Sequence, residues 1–297
     1  MRVAFDCLTP GLVAPLIHAK IMHCINRVVR LRIRRTKSPL HLLALVLALA
    51  LLVLLSGQAA HAGECKFTAL RDTVVESGAF GEIRLASGRV VTLSDVRIAE
   101  PVDDAFHFLA SQAGAEVELQ VRESKPDRWG RIGAAIILSP DASRLDLAHA
   151  LVARGLAVVD SHVQTLCDES LLLREEQARR SRRGLWRAAE ALPVPAEDSA
   201  ALLARVGSFT IVEGVVQSIG ERGRRTYLDF GRSWEGAFTV IIPSPLWTKV
   251  QGAGMSVDAL KGRRIRIRGI MQNWRGPAIE LTTVEFIEYL EARPLRP

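Results

Sequence analysis

Short runs in which apolar and polar residues alternate recur along residues 66–290, and they restrict this chain to folds that bury one face of a sheet. "FGEIRL" and "GRVVTLSDV" alternate around a turn at "ASG", "AEVELQVRE" alternates without a break, and "RIGAAIIL" follows it. Successive side chains of a strand point to opposite faces, so each run carries one face that needs cover. After residue 207 come "SFTIVEGVVQSIG", "RRTYLDFG", "GAFTVIIP", "RRIRIRGIMQNW" and "PAIELTT", with "SPLWTKV" as a short helix between the third and fourth. Five strands and one helix in about 90 residues predict a small closed barrel rather than a sandwich.

Helical spacing interrupts the strands at three places. "PVDDAFHFLASQ" sets Phe106, Leu109 and Ala110 on one side, with Pro101 and Asp103 suited to a helix start. "SRLDLAHALVARGLAVV" reads as a helix stopped by Gly155 and followed by a strand, and "CDESLLLREEQARRSRRGLW" as a longer amphipathic helix stopped by Gly184. "ALPVPAEDSA" (191–200), with two prolines and small polar residues, marks a domain boundary. The expected organisation is a leader at 1–62, a first domain at 63–190, a linker with a short helix at 191–206, a second domain at 207–290 and a tail at 291–297.

The charge of the chain is uneven. The formal charge of +7 invites a reading as a nucleic-acid or membrane binder, but residues 1–62 hold eight Lys/Arg and one acid, and the remaining residues hold 31 of each sign. That leader has the parts of a secretory signal: the basic "RVVRLRIRRTK", the 14-residue apolar run Leu42–Leu55, and "AHA" (Ala60–Ala62) before Gly63. The run is short against the ~20 residues of a bilayer span. Export to the periplasm or the exterior is therefore expected, with an uncleaved inner-membrane anchor over 40–60 as the alternative. Glu64 before Cys65 makes a poor lipoprotein signal, and Met22 is a plausible later start.

Cleavage after Ala62 leaves two cysteines, Cys65 and Cys167. An even pair in an oxidising compartment favours a disulfide, and two inert buried thiols are the alternative. No metal site is read here, because the two cysteines are far apart and His107, His149 and His162 lack ligand spacing.

"DRWGR", then "LDLAHALVARGLAVV", then "CDESLLLREEQARRSRRGLW", in that order, resemble the staphylococcal nuclease (thermonuclease-like) family over about residues 66–188. The resemblance implies a five-stranded oligonucleotide-binding (OB) barrel with three helices and calcium-dependent hydrolysis of DNA and RNA. Of the residues the family uses, Glu100 matches the water-activating glutamate and Arg131 a phosphate-binding arginine. The family's Asp-Gly-Asp-Thr element is met by Ser77-Gly78-Ala79-Phe80, Thr92 stands at the other phosphate arginine, and Arg97 at a calcium aspartate. Calcium takes six to eight oxygen ligands, and an arginine among them adds a repelling charge. The expectation is a degenerate metal site with Glu100 and Arg131 as remnants, free to pair with each other. Calcium enters only if Asp72, Glu76 or Asp95 rebuilds a nuclease site. Trp129 is expected to pack on the barrel.

The second domain resembles an OB fold of the nucleic-acid-binding kind, so the fold class is α+β, mainly β, with two OB-type barrels. Residues 193–297 hold 14 basic and 11 acidic side chains. Arg264, Arg266 and Arg268 fall on one face of a strand, and with Tyr227, Phe230, Trp234 and Trp274 they outline a stacking-and-phosphate surface. A solvated arginine face is the plainer alternative. The functional expectation is an exported binding module for nucleic acid or protein, against two alternatives: an active calcium nuclease, or a structural cell-envelope protein.

Overall fold

The computed structural model describes residues 65–78, 81–100, 102–122, 125–138, 144–160, 165–231 and 236–290. The leader with its apolar run, Ala79, Phe80, Pro101, His162, Trp234 and the tail lie outside them. Residues 61–297 cluster as one compact unit.

The first half of that unit is a closed five-stranded barrel. Its strands are β1 (Thr68–Ser77), β2 (Ile83–Leu85), β3 (Val90–Leu93), β5 (Glu116–Val121) and β6 (Arg131–Leu138), in the order β3-β2-β1-β5-β6, and β3 pairs in parallel with β6 to close the ring. The period-two pattern explains the closure. Val117, Leu119 and Val121 of β5 point inward at 5% exposure or less, while Glu116, Glu118 and Gln120 point out. Between them, β4 (Val96–Ile98) pairs with β8 (Ala157–Val159) as a separate ribbon, and β7 (Leu145–Asp146) extends β6.

Three helices flank the barrel at the expected places: α1 (Asp103–Ala110), α2 (Leu147–Arg154) and α3 (Ser170–Arg180). Asp146 caps α2 by accepting from the His149 N–H. Gly155 ends it in the left-handed region at φ 70°, where a Cβ would stand 2.2 Å from the Arg183 carbonyl oxygen. That close approach lets the Leu185 N–H reach the Gly155 carbonyl at 2.9 Å, so the two expected helix stops, Gly155 and Gly184, pack against one another. α3 departs from expectation. Leu173 is 68% exposed, while Glu175 and Arg179 are buried beside Leu171 and Ala178. The buried face of this helix is partly ionic.

Cys65 and Cys167 form the disulfide, with Cα atoms 5.9 Å apart and a sequence separation of 102. Closing a loop of this length removes chain entropy worth about 4–5 kcal/mol on the loop-closure view. Such a bond belongs in an oxidising compartment. No described helix is long and apolar enough to cross a membrane.

The second half is an open sheet rather than the closed barrel expected. Its strands are β9 (Val194–Pro195), β10 (Phe209–Val215), β11 (Ser218–Arg222), β12 (Arg225–Asp229), β13 (Thr239–Pro243), β14 (Arg264–Asn273), β15 (Pro277–Glu280) and β16 (Ile287–Tyr289). The order is β11-β12-β13-β15-β14-β10-β9, with β16 also on β14. "SFTIVEGVVQSIG" supplies two strands instead of one. The run bends at Val216–Gln217, where Val216 donates to the Arg263 carbonyl and Gln217 to the Asp229 carbonyl. One half of the run therefore joins β14 and the other joins β12, and covalent continuity replaces the missing ladder. Helices α4 (Ser199–Leu203), α5 (Ser244–Gly252) and α6 (Val257–Leu260) cover the sheet with Leu202, Trp247, Val250 and Leu260.

Candidate functional site

The corner that follows β3 is held by arginine–carboxylate pairs. Arg97 of β4 binds Asp160 through Nε at 2.8 Å and Nη2 at 2.7 Å, and its guanidinium lies 5.5 Å from the centroid of Phe209. Asp95 is buried and accepts from Arg122, which also donates to the Thr165 carbonyl at 2.7 Å. Asp72 accepts from Ser87 and faces Arg89 at 3.6 Å. Burial pushes its carboxyl up, but the hydrogen bonds from Ser87 and Thr73, helped by Arg89, hold it below the ordinary range. Glu76 pairs with Arg84 at 2.7 Å on the surface. Each carboxylate that could have rebuilt a calcium site is thus committed to a cation or a hydroxyl. Among the described residues no group of three or more His, Cys, Asp and Glu could hold a metal ion. These residues do not fit a calcium ion.

Arg131 opens β6 opposite Val90 of β3, and its partner is Asp127 rather than Glu100. Asp127 accepts from Arg131 Nε at 2.9 Å, from the Arg131 backbone at 2.9 Å and from the Trp129 backbone at 2.9 Å. Gly130 takes φ 78°, which lets the turn close with the Asp127 N–H on the Arg131 carbonyl. Trp129 does not pack on the barrel. It is 62% exposed, and the guanidinium groups of Arg128 and Arg131 lie 3.8 and 4.6 Å from its ring centroid. Each cation over the ring face is attracted by its quadrupole, worth about 0.5–1 kcal/mol at an exposed site. Glu100 is exposed beyond β4 and has no ion pair among the described residues.

The second sheet presents a different surface. Tyr227 of β12 and Trp274, in the turn after β14, stack with centroids 5.4 Å apart and planes 12° from parallel. Arg275 lies 5.4 Å from the Trp274 centroid and takes φ 58°, a left-handed conformation fixed by the tight turn that ends with the Trp274 N–H on the Gly276 carbonyl. Opposite Tyr227 on β11 is Gly220, whose missing side chain leaves room that Arg222 approaches with its Nε 4.0 Å from where a Cβ would be. Arg225, on the same face, reaches Glu280 at 3.8 Å. The result is a strip running from Arg222 through Tyr227 and Trp274 to Arg275, with Trp274 37% exposed. Phe230 is buried against Phe238 and takes no part.

Arg264, Arg266 and Arg268 do share one face of β14, but they do not share an environment. Arg264 is exposed, while Arg266 and Arg268 are 5% and 1% exposed. Arg268 binds Glu175 at 2.8 Å, Glu288 at 2.6 Å and the Val159 carbonyl at 3.1 Å. Arg266 binds Glu213 at 2.7 Å, Glu176 at 3.0 Å and Glu288 at 3.2 Å. The Val159 N–H donates to Glu175 at 2.7 Å, so both polar groups of that β8 peptide are met by α3 and β14. Burial pushes the Glu288 carboxyl up, but Arg268 and Arg266 beside it hold it below the usual range. Burial and the neighbouring Arg266 push Arg179 down to about 10. This corrects the expectation of three arginines open to a phosphate: two of them are buried and paired with glutamates.

Sequence reasoning missed Arg222 and Arg275 on the strip and the four glutamates of the junction. The signal for Arg222 was the unbranched gap at Gly220 in a strand run. For Glu175 and Glu176 it was "LREEQARR", whose acids and bases lie four apart on the helix side that the neighbouring leucines predict to be inward.

Residues 102–188 match the family described as "Staphylococcal nuclease homologue". This SNase-like domain spans under a third of the 297 residues; it includes Arg131 and begins after Glu100. No curated protein matches the chain.

Proposed function

We propose that the chain is an exported binding protein in which the SNase-like region serves as scaffold and single-stranded nucleic acid is taken across the outer face of the second sheet. The stacked Tyr227–Trp274 pair, flanked by Arg222 and Arg275, carries this reading. Bases offer a π face whatever their identity, so an exposed aromatic strip with cations at its ends accepts successive nucleotides with little sequence preference. In this reading the bent β10–β11 run gives the open second sheet an OB-like chain path, Arg264 serves as an outlying phosphate contact, and the nuclease corner is degenerate. The replacement of a family carboxylate by Arg97, tied to Asp160, supports that last point.

The test is fluorescence anisotropy with a labelled single-stranded oligonucleotide at several salt concentrations, using the full chain beside Tyr227→Ala and Trp274→Ala. Weakened binding in both variants and a falling affinity with salt are expected. Affinity untouched by either substitution would remove the strip from the function. Calcium-dependent hydrolysis of the same oligonucleotide, lost in Glu100→Ala, would replace the binding reading with a nuclease.

A further inference from the structure

The barrel has a rim at which chain path, exposed apolar side chains and exposed cations coincide. Thr68 pairs with Val121, Val90 pairs with Arg131, and Val90 also pairs with Arg84. The start of β1, the β2–β3 turn and the β5–β6 hairpin therefore stand at the same end. Phe67 is 51% exposed and Trp129 62% exposed at this end, and Lys66, Lys125 and Arg128 beside them are exposed without an ion pair among the described residues. The chain reaches this rim at Cys65 from the apolar run that ends at Leu55, ten residues earlier. Such a stretch spans about 30–35 Å at most.

We propose that this rim docks on an anionic lipid surface. Trp129 is suited to the headgroup level, where an indole keeps an apolar body and a polar edge. Lys66, Lys125 and Arg128 supply charge of the sign that attracts anionic headgroups. The hairpin is preset for the task, since Asp127 fixes the backbone on both sides of Gly130. Nucleic acid is the weaker occupant, because Arg128 and Arg131 already cover the Trp129 ring on which a base would stack. The short reach from the apolar run also keeps the rim within range of a bilayer that this run enters, whether transiently or as an anchor. The surface is separate from the Tyr227–Trp274 strip and stands or falls without it.

Hydrogen exchange of the full chain tests this on vesicles of phosphatidylcholine alone and of phosphatidylcholine with phosphatidylglycerol. Peptides covering 65–68 and 125–131 are expected to exchange several-fold more slowly on the anionic vesicles. That slowing should disappear from 125–131 in Arg128→Ser/Trp129→Ser and diminish in Lys66→Ser/Lys125→Ser, while peptides of β5 and β6 keep their protection and report that the barrel is folded. Equal exchange on the two vesicle types overturns the proposal. Slowing of 125–131 by a single-stranded oligonucleotide but not by vesicles overturns it in favour of a nucleic-acid contact.

Discussion

Arg268 on β14 is 1% exposed and held by Glu175 and Glu288, whereas Arg222 on β11 of the same eight-stranded sheet is exposed and lies beside Gly220 and Tyr227. Both sit in runs where arginine alternates or clusters with apolar residues, and both strands are pleated alike. What separates them is the supply of carboxylates. α3, β10 and β16 bring Glu175, Glu176, Glu213 and Glu288 against one face of β14, and among the described residues no such cluster is paired with Arg222 of β11. Arginine buried in such a cluster holds structure in place, while arginine left beside an aromatic face remains available to a ligand.

The largest effect expected from breaking this contrast comes at Arg268. Arg268→Ala, or Glu175→Ala, leaves an uncompensated buried charge and should cost about 3–5 kcal/mol of unfolding free energy. Urea denaturation measures it, and Arg222→Ala should shift the same curve by no more than about 0.5 kcal/mol. Glu175→Leu combined with Arg268→Met sharpens the point, because removing both charges should cost less than removing either. Equal costs for Arg268→Ala and Arg222→Ala would erase the distinction.

Acid reaches the same cluster without mutation. The folded Glu288 carboxyl titrates below its ordinary 4.5, so its contribution is complete above that value and is lost as pH falls through the folded pKa. Urea midpoints should therefore drop below about pH 4.5, and Glu288→Gln should flatten that part of the decline. A wild-type and variant pair that fall in parallel would show that Glu288 is not what acid attacks.

On the exposed side the readout changes from stability to binding. Trp274→Ala should weaken oligonucleotide binding by about 1–3 kcal/mol, with Tyr227→Ala similar, and with little change in melting temperature. Anisotropy and thermal melts on the same samples check both halves of that statement. The smallest effect belongs to Arg264, which shares the strand of Arg268 but is exposed and 3.4 Å from Glu213. Arg264→Ala should cost about 0–1 kcal/mol in a urea titration. A larger loss would place Arg264 with the buried set.

The strands, the three barrel helices, the Gly155 stop and the disulfide partners could be read from local pattern, because alternation, caps and cysteine parity are properties of neighbouring residues. Gly184 reads as a stop, but α3 ends earlier, at Arg180 with Ser181 as its cap. Two matters could not. "RRIRIRG" shows one polar face, but whether that face meets water or acid depends on Glu176, 90 residues before Arg266, and on Val159, 109 residues before Arg268. "DRWGR" shows a turn, but not that Trp129 stands outside the barrel with Arg128 and Arg131 against its ring. The closure of the second sheet was misjudged for a related reason. The bend at Val216–Gln217 follows Gly214, and a glycine in a strand run marks a bend or a close backbone approach without saying which. Of the candidate site, Tyr227 and Trp274 were legible as aromatics but not as a stacked pair, since one lies on β12 and the other beyond β14.

The Val159 peptide, answered on one side by Glu175 and on the other by Arg268, has a hereditary consequence. A change at position 175, inside the SNase-like domain, is felt at position 268, outside it, so drift at either one is tolerable only when the other drifts in step. Descendants of this chain should keep or lose the two charges together, and a gene fragment carrying residues 102–188 into a new setting would arrive without Arg268, with Glu175 left to Arg179 alone at 3.8 Å.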